Sequence, residues 1–579
     1  MANGGESGDS APAAPGGNGV KAPTMAAAAH SHGEERDAQG RKIYRCGTLK
    51  YTVGGLVALI AWLLWGDFCF TMMEHVVPSI MPLKLRSMQS ANWVIALIMS
   101  TLPGIFNTTV CPWVSFKSDT YRSKWGRRIP FIVYTMPFLV VSLILIGLSD
   151  DIGGWLHGWF LGGSTITRSA VVVVLLAVFA GIFDLFNMFV GSVYWYLFND
   201  VVPERFLASF MSWFRLIGTL SGALYNYFIF RFALSHMREI YLGAALLYLF
   251  GFGLMCLMVK EGEYPPSPDE GRKPSLLRDI KTFAKDCFTM PYYWYIFLQC
   301  MFAAIGGSIG VFGVFFNQSM GLDLNLIGKM AAVGSVVAAV FMTFAGILVD
   351  RWHPVRVEIY INAYGAFFAF GSTIWLFAVA PPSMVYFWVG IAGNVFSALM
   401  SAVAGAASLP RLMLIFPKDQ FGQFCGAQAL VRSAGTMIGG LVAGIYLDVV
   451  KRFYPPGDLF PYRYMYIWTT IFAVLAFAFH YRAFRCWKRL GGESGYTPPL
   501  KNFRYRDLPK AENSLVTRSL LIPPIIAFVG ALSVHVFYVY YFHSVAHNAR
   551  NALVFGIYAV IMVGIMAAYL RFIRFMERP

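Results

Sequence analysis

Four acidic or amide side chains lie where the surrounding sequence is almost wholly apolar. Asp67 and Glu74 are seven residues apart, which at about 100° per residue returns to nearly the same helix face. Asp184 and Asn187 are one turn apart, with Gly191 and Trp195 continuing their stripe. A carboxylate at bilayer depth costs roughly 2.5–3.5 kcal/mol even on lenient scales. It therefore needs water, a partner or a proton, and burial drives a carboxyl toward its protonated form. A group that loads a proton on one side and releases it on the other is the part an ion-coupled carrier requires. The same oxygens could hold Na⁺. Asn187, Trp195, Asn226, Asn317, Gln318 and Asn394 are the polar and aromatic side chains available to line a solute cavity; the bland alternative for each is a helix–helix hydrogen bond or an interfacial aromatic.

The elements that must position these groups follow from composition. Of 579 residues, 57% are hydrophobic and 13% charged, with 51 Phe, 30 Tyr and 15 Trp and a mean hydropathy of +0.57. A soluble chain carries roughly 25% charged residues, so this one is an all-α integral membrane protein whose partner is the lipid bilayer. Roughly fourteen segments have the ~20 apolar residues a spanning helix needs. Six lie at about 52–82, 91–115, 130–149, 170–199, 208–233 and 238–259; six more lie at about 292–318, 325–349, 357–380, 384–413, 424–449 and 464–485; two follow at 518–543 and 552–573. The domains read as a disordered cytoplasmic tail (1–50), a six-helix half (51–259), a central linker (260–290), a second six-helix half (291–485), a basic linker (486–517) and an added hairpin with a short tail (518–579). The tail is poor in apolar residues and has no signal-peptide core.

Net charge is +16. The short stretch 117–128 alone holds Lys117, Arg122, Lys124, Arg127 and Arg128, and alternating the segments across the membrane gathers most of the basic residues on the side of this loop. By the positive-inside rule that side, with both termini, is cytoplasmic; the membrane is a plasma membrane or a bacterial inner membrane. A nucleic-acid partner is not expected, because the charge lies in short loops between spans. The eight cysteines are scattered without a CxxC pair, so neither a disulfide framework nor a metal site is predicted. His535, His543 and His547 read as interfacial, and no cofactor beyond the coupling ion is expected.

The two halves repeat. Arg215-Leu-Ile-Gly218-Thr219-Leu-Ser-Gly222 and Arg432-Ser-Ala-Gly435-Thr436-Met-Ile-Gly439 share R-x-x-G-T-x-x-G near the starts of the fifth and eleventh segments, with Pro203 and Pro417 before them. Asp119 follows the second segment and Asp350-Arg351 the eighth. A duplicated bundle of this kind places its substrate between the halves near the midplane.

Residues Ser118–Pro130, ending in Gly126-Arg127-Arg128-Ile129-Pro130, resemble the loop between helices two and three of the major facilitator superfamily. The form is that of glycoside–pentoside–hexuronide cation symporters and sucrose–proton symporters, with Thr120 at the usual arginine and Arg122 as its substitute. Asp184-Leu-Phe-Asn187 with Asp200 sixteen positions on is similar to the sucrose-symporter pattern in helix four, and Trp195 stands where that family carries an arginine. The resemblance covers about residues 50–485. It implies a major facilitator fold of two six-helix halves, here with two further C-terminal helices, and proton- or Na⁺-coupled symport of a sugar- or glycoside-like solute by alternating access. It adds to the burial argument for Asp184 as a coupling group, beside Asp67 and Glu74, which are coupling candidates from their own spacing and apolar surroundings. It also implies a cytoplasmic gate in which Asp119 meets Arg432 and Asp350 meets Arg215, joined by Arg122, Arg127, Arg128 and Arg351. An uncoupled facilitator, an exporter and a sensor on a transporter scaffold are the alternatives. An enzyme is not expected, since no nucleophile–base, HExxH or GxSxG constellation occurs. A monomer is expected.

Overall fold

The computed structural model describes residues 42–499 apart from Arg122, Gly162, 263–286 and 377–381, together with the two-residue strand at 35–36. Arg122, the predicted hairpin at 518–543 and 552–573, and the three histidines near it lie outside the described residues. Nothing is described of the Asp119 side chain.

Twelve long helices follow a small sheet. Strands β1 (Glu35–Arg36), β2 (Lys42–Cys46) and β3 (Leu49–Thr52) form an antiparallel meander. The reading of residues 1–50 as a disordered tail therefore fails at its end. Lys42-Ile-Tyr-Arg-Cys is rich in β-favouring side chains, with Lys42 and Arg45 exposed and Ile43, Tyr44 and Cys46 partly buried, and Gly47 takes the left-handed turn (φ +56°) that glycine adopts without strain. Tyr44 then packs edge-on against Phe206, ring centroids 5.0 Å apart.

Helix α1 is Val53–Ser87. Helix α2 comprises Asn92–Ala96, a π-turn at Leu97–Thr101 and Leu102–Thr120, and α3 is Ile129–Gly147. Next come the short α4 (Ser149–Phe160), read in the sequence as loop, and α5 (Arg168–Val201). Helix α6 is Glu204–Leu224, continued by a π-turn at Tyr225–Ile229 and a 3₁₀ turn at Phe230–Phe232; α7 begins at Met237–Leu246 and ends at Gly253–Met258. The second half has α8 (Pro291–Ser308, continued to Ser319), α9 (Leu324–Trp352), α10 (Pro354–Ser372), α11 (Ser383–Ile415), α12 (Phe421–Lys451) and α13 (Met465–Arg489). Among the described residues, eleven helices are long and apolar enough to cross a membrane; the twelfth, α6, is the most amphipathic of the long helices.

Local chemistry sets several boundaries. Thr52, Thr167 and Asp323 each accept a hydrogen bond from the backbone N–H three residues on (3.2, 3.3 and 2.8 Å), capping α1, α5 and α9. Pro78 and Pro82 fall inside α1; each removes a backbone donor and crowds the preceding turn. The duplication is repeated in the packing. A Cβ on Gly218 or Gly222 would meet Asp67 Oδ2 at 3.4 Å or His75 Nε2 at 2.5 Å of α1. A Cβ on Gly435 or Gly439 would meet Met301 O at 2.8 Å or Ile305 Cα at 2.7 Å of α8. The two copies of R-x-x-G-T-x-x-G thus seat equivalent helices in each half.

Candidate functional site

A cavity of about 670 Å³ lies between the halves, walled by α1, α2, α5 and α6 on one side and by α8 and α9 on the other. Glu74, Asp184, Asn187 and Asn226 line it, and His75 and Ser79 join them. Asn187 Nδ2 donates to Glu74 Oε1 (3.1 Å), linking α5 to α1. Asn226 Nδ2 donates to Gly222 O of its own helix (2.9 Å), and Ser79 Oγ lies 2.6 Å from Tyr225 Oη. The backbone is irregular just here. Pro78 and Pro82 line the cavity, as do Met99 and Asn226 from the two π-turns; such insertions re-aim side chains and concentrate at functional sites.

Asp67 is 1% exposed and stands outside the cavity lining. Thr71 Oγ1 donates to its Oδ1 (3.2 Å), and its Oδ2 has no partner among the described residues. It shares a face with Glu74 as the seven-residue spacing required, but sits about 10 Å further along the axis.

The remaining candidates are elsewhere. Trp195 is 46% exposed and meets Phe214 edge-on (5.1 Å). Its stripe is that of Asp184, but eleven residues place it about 16 Å along the helix, beyond the cavity. Asn317 accepts from Tyr386 Oη (3.1 Å), joining α8 to α11, and Gln318 is half-buried at the same end of α8. Asn394 Nδ2 donates weakly to Met330 O (3.4 Å), joining α11 to α9. The Asn317 and Asn394 bonds are interhelical contacts, and none of Asn317, Gln318 and Asn394 is in the lining of this cavity.

The expected gate is distributed differently. Arg127 and Arg128 both pair with Asp200 at the end of α5 (Nε–Oδ2 2.9 and 3.1 Å). The backbone N–H groups of Arg127, Arg128 and Ile129 donate to Glu261 (2.9, 2.8 and 2.5 Å). This cluster lies within the first half, where an acidic cap on the α3 N-terminus and an arginine pair fix α3, α5 and the segment after α7 together. Arg215, Asp350, Arg351 and Arg432 are exposed and, among the described residues, form no ion pair.

The opposite end is sealed. Asp448 of α12 accepts from the N–H groups of Asn92 and Trp93 that open α2 (both 2.9 Å). Tyr462 Oη donates to Asn92 Oδ1 (2.7 Å) and in turn accepts from Arg86 of α1. Away from this end along the same α2–α12 seam, Thr101 Oγ1 donates to Met437 O (2.9 Å), and Asn107 Nδ2 to Ser433 Oγ (3.0 Å). Gly328 of α9 lies directly against the Asn226 carbonyl, and Gly444 against the α2 backbone. Among the described residues, Arg86, Asn92, Asp448 and Tyr462 latch the halves at this end.

The second half holds a buried cluster that the sequence reading missed. Glu358 of α10 pairs with Arg411 of α11, and Arg411 Nη1 lies 3.4 Å from His480 Nε2 of α13; the three are 7%, 4% and 2% exposed. The available signal was simple: ionisable residues inside three apolar segments. Removing one partner of a buried pair strands the other charge at a cost of about 3–5 kcal/mol. Glu358→Ala is therefore expected to lower the unfolding midpoint sharply in detergent, and Glu358→Gln/Arg411→Gln to recover most of the loss. Equal midpoints for the single and double variants would mean the pair carries no such strain.

Comparison with known proteins agrees with this architecture. Residues 158–439 match the sequence profile of the Major Facilitator Superfamily. The structure is similar to a bacterial homologue of the human lysosomal transporter Spinster, inward-facing and unoccupied (14% identity, TM-score 0.54, covering 74% of this chain and 97% of that one). It is also similar to a bacterial homologue of the iron transporter ferroportin in its inward-facing state (16%, 0.54, 74% and 99%). A D-xylose–proton symporter superposes as well (15%, 0.51, 74% and 97%). No curated protein matches the sequence. The class that fold and cavity define is a multi-pass membrane protein with the major facilitator transporter fold.

Proposed function

We propose that this chain is a secondary active transporter that couples a proton or Na⁺ to movement of a small solute by alternating access. The observation that carries the reading is the pairing of two carboxylates, Glu74 and Asp184, in one cavity between halves that Asp448 and Tyr462 latch at one end. Asp184 and Glu74 load and release the ion at the cavity, and Asp67 is a second acceptor deeper in α1. Loss of the Asp448 and Tyr462 contacts opens the far end, while Arg215, Asp350, Arg351 and Arg432 close the near end. The basic loop faces the cytoplasm, with both termini, in a plasma or bacterial inner membrane, and the unit is a monomer.

A sugar- or glycoside-like solute carried in symport is the finer part of this reading. Its support is the resemblance at Ser118–Pro130 and Asp184–Asn187, together with carboxylate and amide groups that match hydroxyls. The test is uptake into proteoliposomes under imposed gradients. Accumulation that follows an imposed pH or Na⁺ gradient is expected; equilibration without accumulation under either gradient would leave an uncoupled facilitator.

A further inference from the structure

The cavity has two unlike walls. Every polar side chain lining it comes from the first half: Glu74, His75 and Ser79 of α1, Asp184 and Asn187 of α5, and Asn226 of α6. Among the described residues the second half contributes Gly310, Val311 and Val314 of α8 and Ile327 of α9, with no hydrogen-bonding side chain. Phe183 and Phe230 stand among the lining groups of the first half. Two carboxylates and no lysine or arginine line the space among the described residues.

A free sugar presents hydroxyls around its whole ring. Placed here, those turned toward α8 and α9 would lose water and gain no partner, at a cost of about 1–3 kcal/mol for each stranded group. A molecule polar at one end and apolar at the other leaves nothing stranded, and its apolar part gains burial in proportion to the area covered. A carboxylate or phosphate on the solute would face Glu74 and Asp184, with the imidazole of His75 and no lysine or arginine among the described lining residues to offset the repulsion.

We propose that the solute is amphipathic and carries no negative charge. Its hydroxylated head sits against α1, α5 and α6, and its apolar, ring-sized tail sits between Val311, Val314 and Ile327. This rests on the transporter reading above and narrows it: a glycoside with an apolar aglycone is accepted, while the bare sugar and the glucuronide are rejected.

The experiment uses the full chain in nanodiscs and in proteoliposomes, with phenyl β-glucoside, glucose and phenyl β-glucuronide as probes. Binding is read by isothermal titration and transport by uptake under a pH or Na⁺ gradient. Phenyl glucoside is expected to bind at least tenfold more tightly than either other probe. Val311→Thr/Val314→Thr, which exchanges methyl for hydroxyl at nearly constant shape, is expected to cut that preference severalfold without weakening glucose. Glucose or the glucuronide binding as well as phenyl glucoside overturns the proposal, as does failure of all three to bind or an unchanged preference in the double variant. Preferential binding without gradient-driven uptake supports the solute class and defeats the coupled-transport reading. Gradient-driven uptake without the preference does the reverse.

Discussion

Asp184→Asn is expected to abolish gradient-driven accumulation while leaving solute exchange within about threefold of wild type. The amide keeps the size and hydrogen-bonding capacity of the carboxyl, so the cavity wall it shares with Glu74 and Asn187 stays intact. It cannot take up and release a proton, and it carries no charge to hold Na⁺. The magnitude follows from the driving force. A gradient of one pH unit is worth about 1.4 kcal/mol per proton, or about tenfold accumulation at one proton per solute. In the variant that ratio falls to about one. Paired measurements of uptake under a gradient and of counterflow without one separate coupling from binding, because loss of both reports a damaged cavity. Accumulation at the wild-type ratio would make Asp184 a wall residue and leave Glu74 and Asp67 as the carriers. Asn187→Ala supplies the control for position, since it removes the amide that donates to Glu74 without removing a titrating group.

Gly444→Val is expected to reduce transport by tenfold or more through the seal alone. A Cβ at Gly444 would come within 2.6 Å of Trp93 Cα and 2.7 Å of Asn92 O. Both are backbone atoms of α2, so no side-chain rotation relieves the contact. Overpacking of this kind costs about 1–3 kcal/mol, all of it charged to the conformer in which α12 and α2 touch. With each 1.4 kcal/mol worth tenfold in population, the latched state falls by about one to two orders of magnitude. The same contact carries the Asp448 cap on the α2 N-terminus, so the two losses compound. A cysteine placed at Met99, in the cavity wall, reads the result. Its labelling from the side opposite the basic loop is expected to rise in the valine variant, and Gly444→Ala is expected to show a smaller change of the same sign. Unchanged labelling and wild-type exchange would mean that the α2–α12 contact does not gate the cavity.

The buried clusters have a different part in the same machine. Arg127, Arg128, Asp200 and Glu261 fasten the near ends of the first half, and Glu358, Arg411 and His480 fasten those of the second. In the alternating access proposed above, each half would move as a packed unit and the contacts between halves would carry the conformational change. This separation is why the glycines of the repeat, Gly218 and Gly222 or Gly435 and Gly439, lie inside a half, whereas Gly328, Gly440 and Gly444 lie at the seam.

Much of this was written in the order of residues along the chain. Apolar runs of helical length, the recurrence of R-x-x-G-T-x-x-G and the rarity of carboxylates in oil are properties of local spacing and transfer energy. They pointed to the helices and the duplication, and singled out Glu74, Asn187 and Asp184 as polar groups in apolar segments. Which side chains meet is another matter. Asn187 finds Glu74, Asp448 finds the start of α2, and Glu358 finds Arg411 across 113, 356 and 53 positions respectively. Those meetings depend on the rotation and offset of packed helices. Trp195, Asn317 and Asn394 shared the right composition yet fell at the wrong height or on the wrong seam, and Arg127 and Arg128 turned to partners in their own half. Sequence fixes what a helix carries and how its faces repeat, because both are set within a few turns. Only the tertiary structure decides the partners, because close packing between helices selects one rotation among several that the pattern allows.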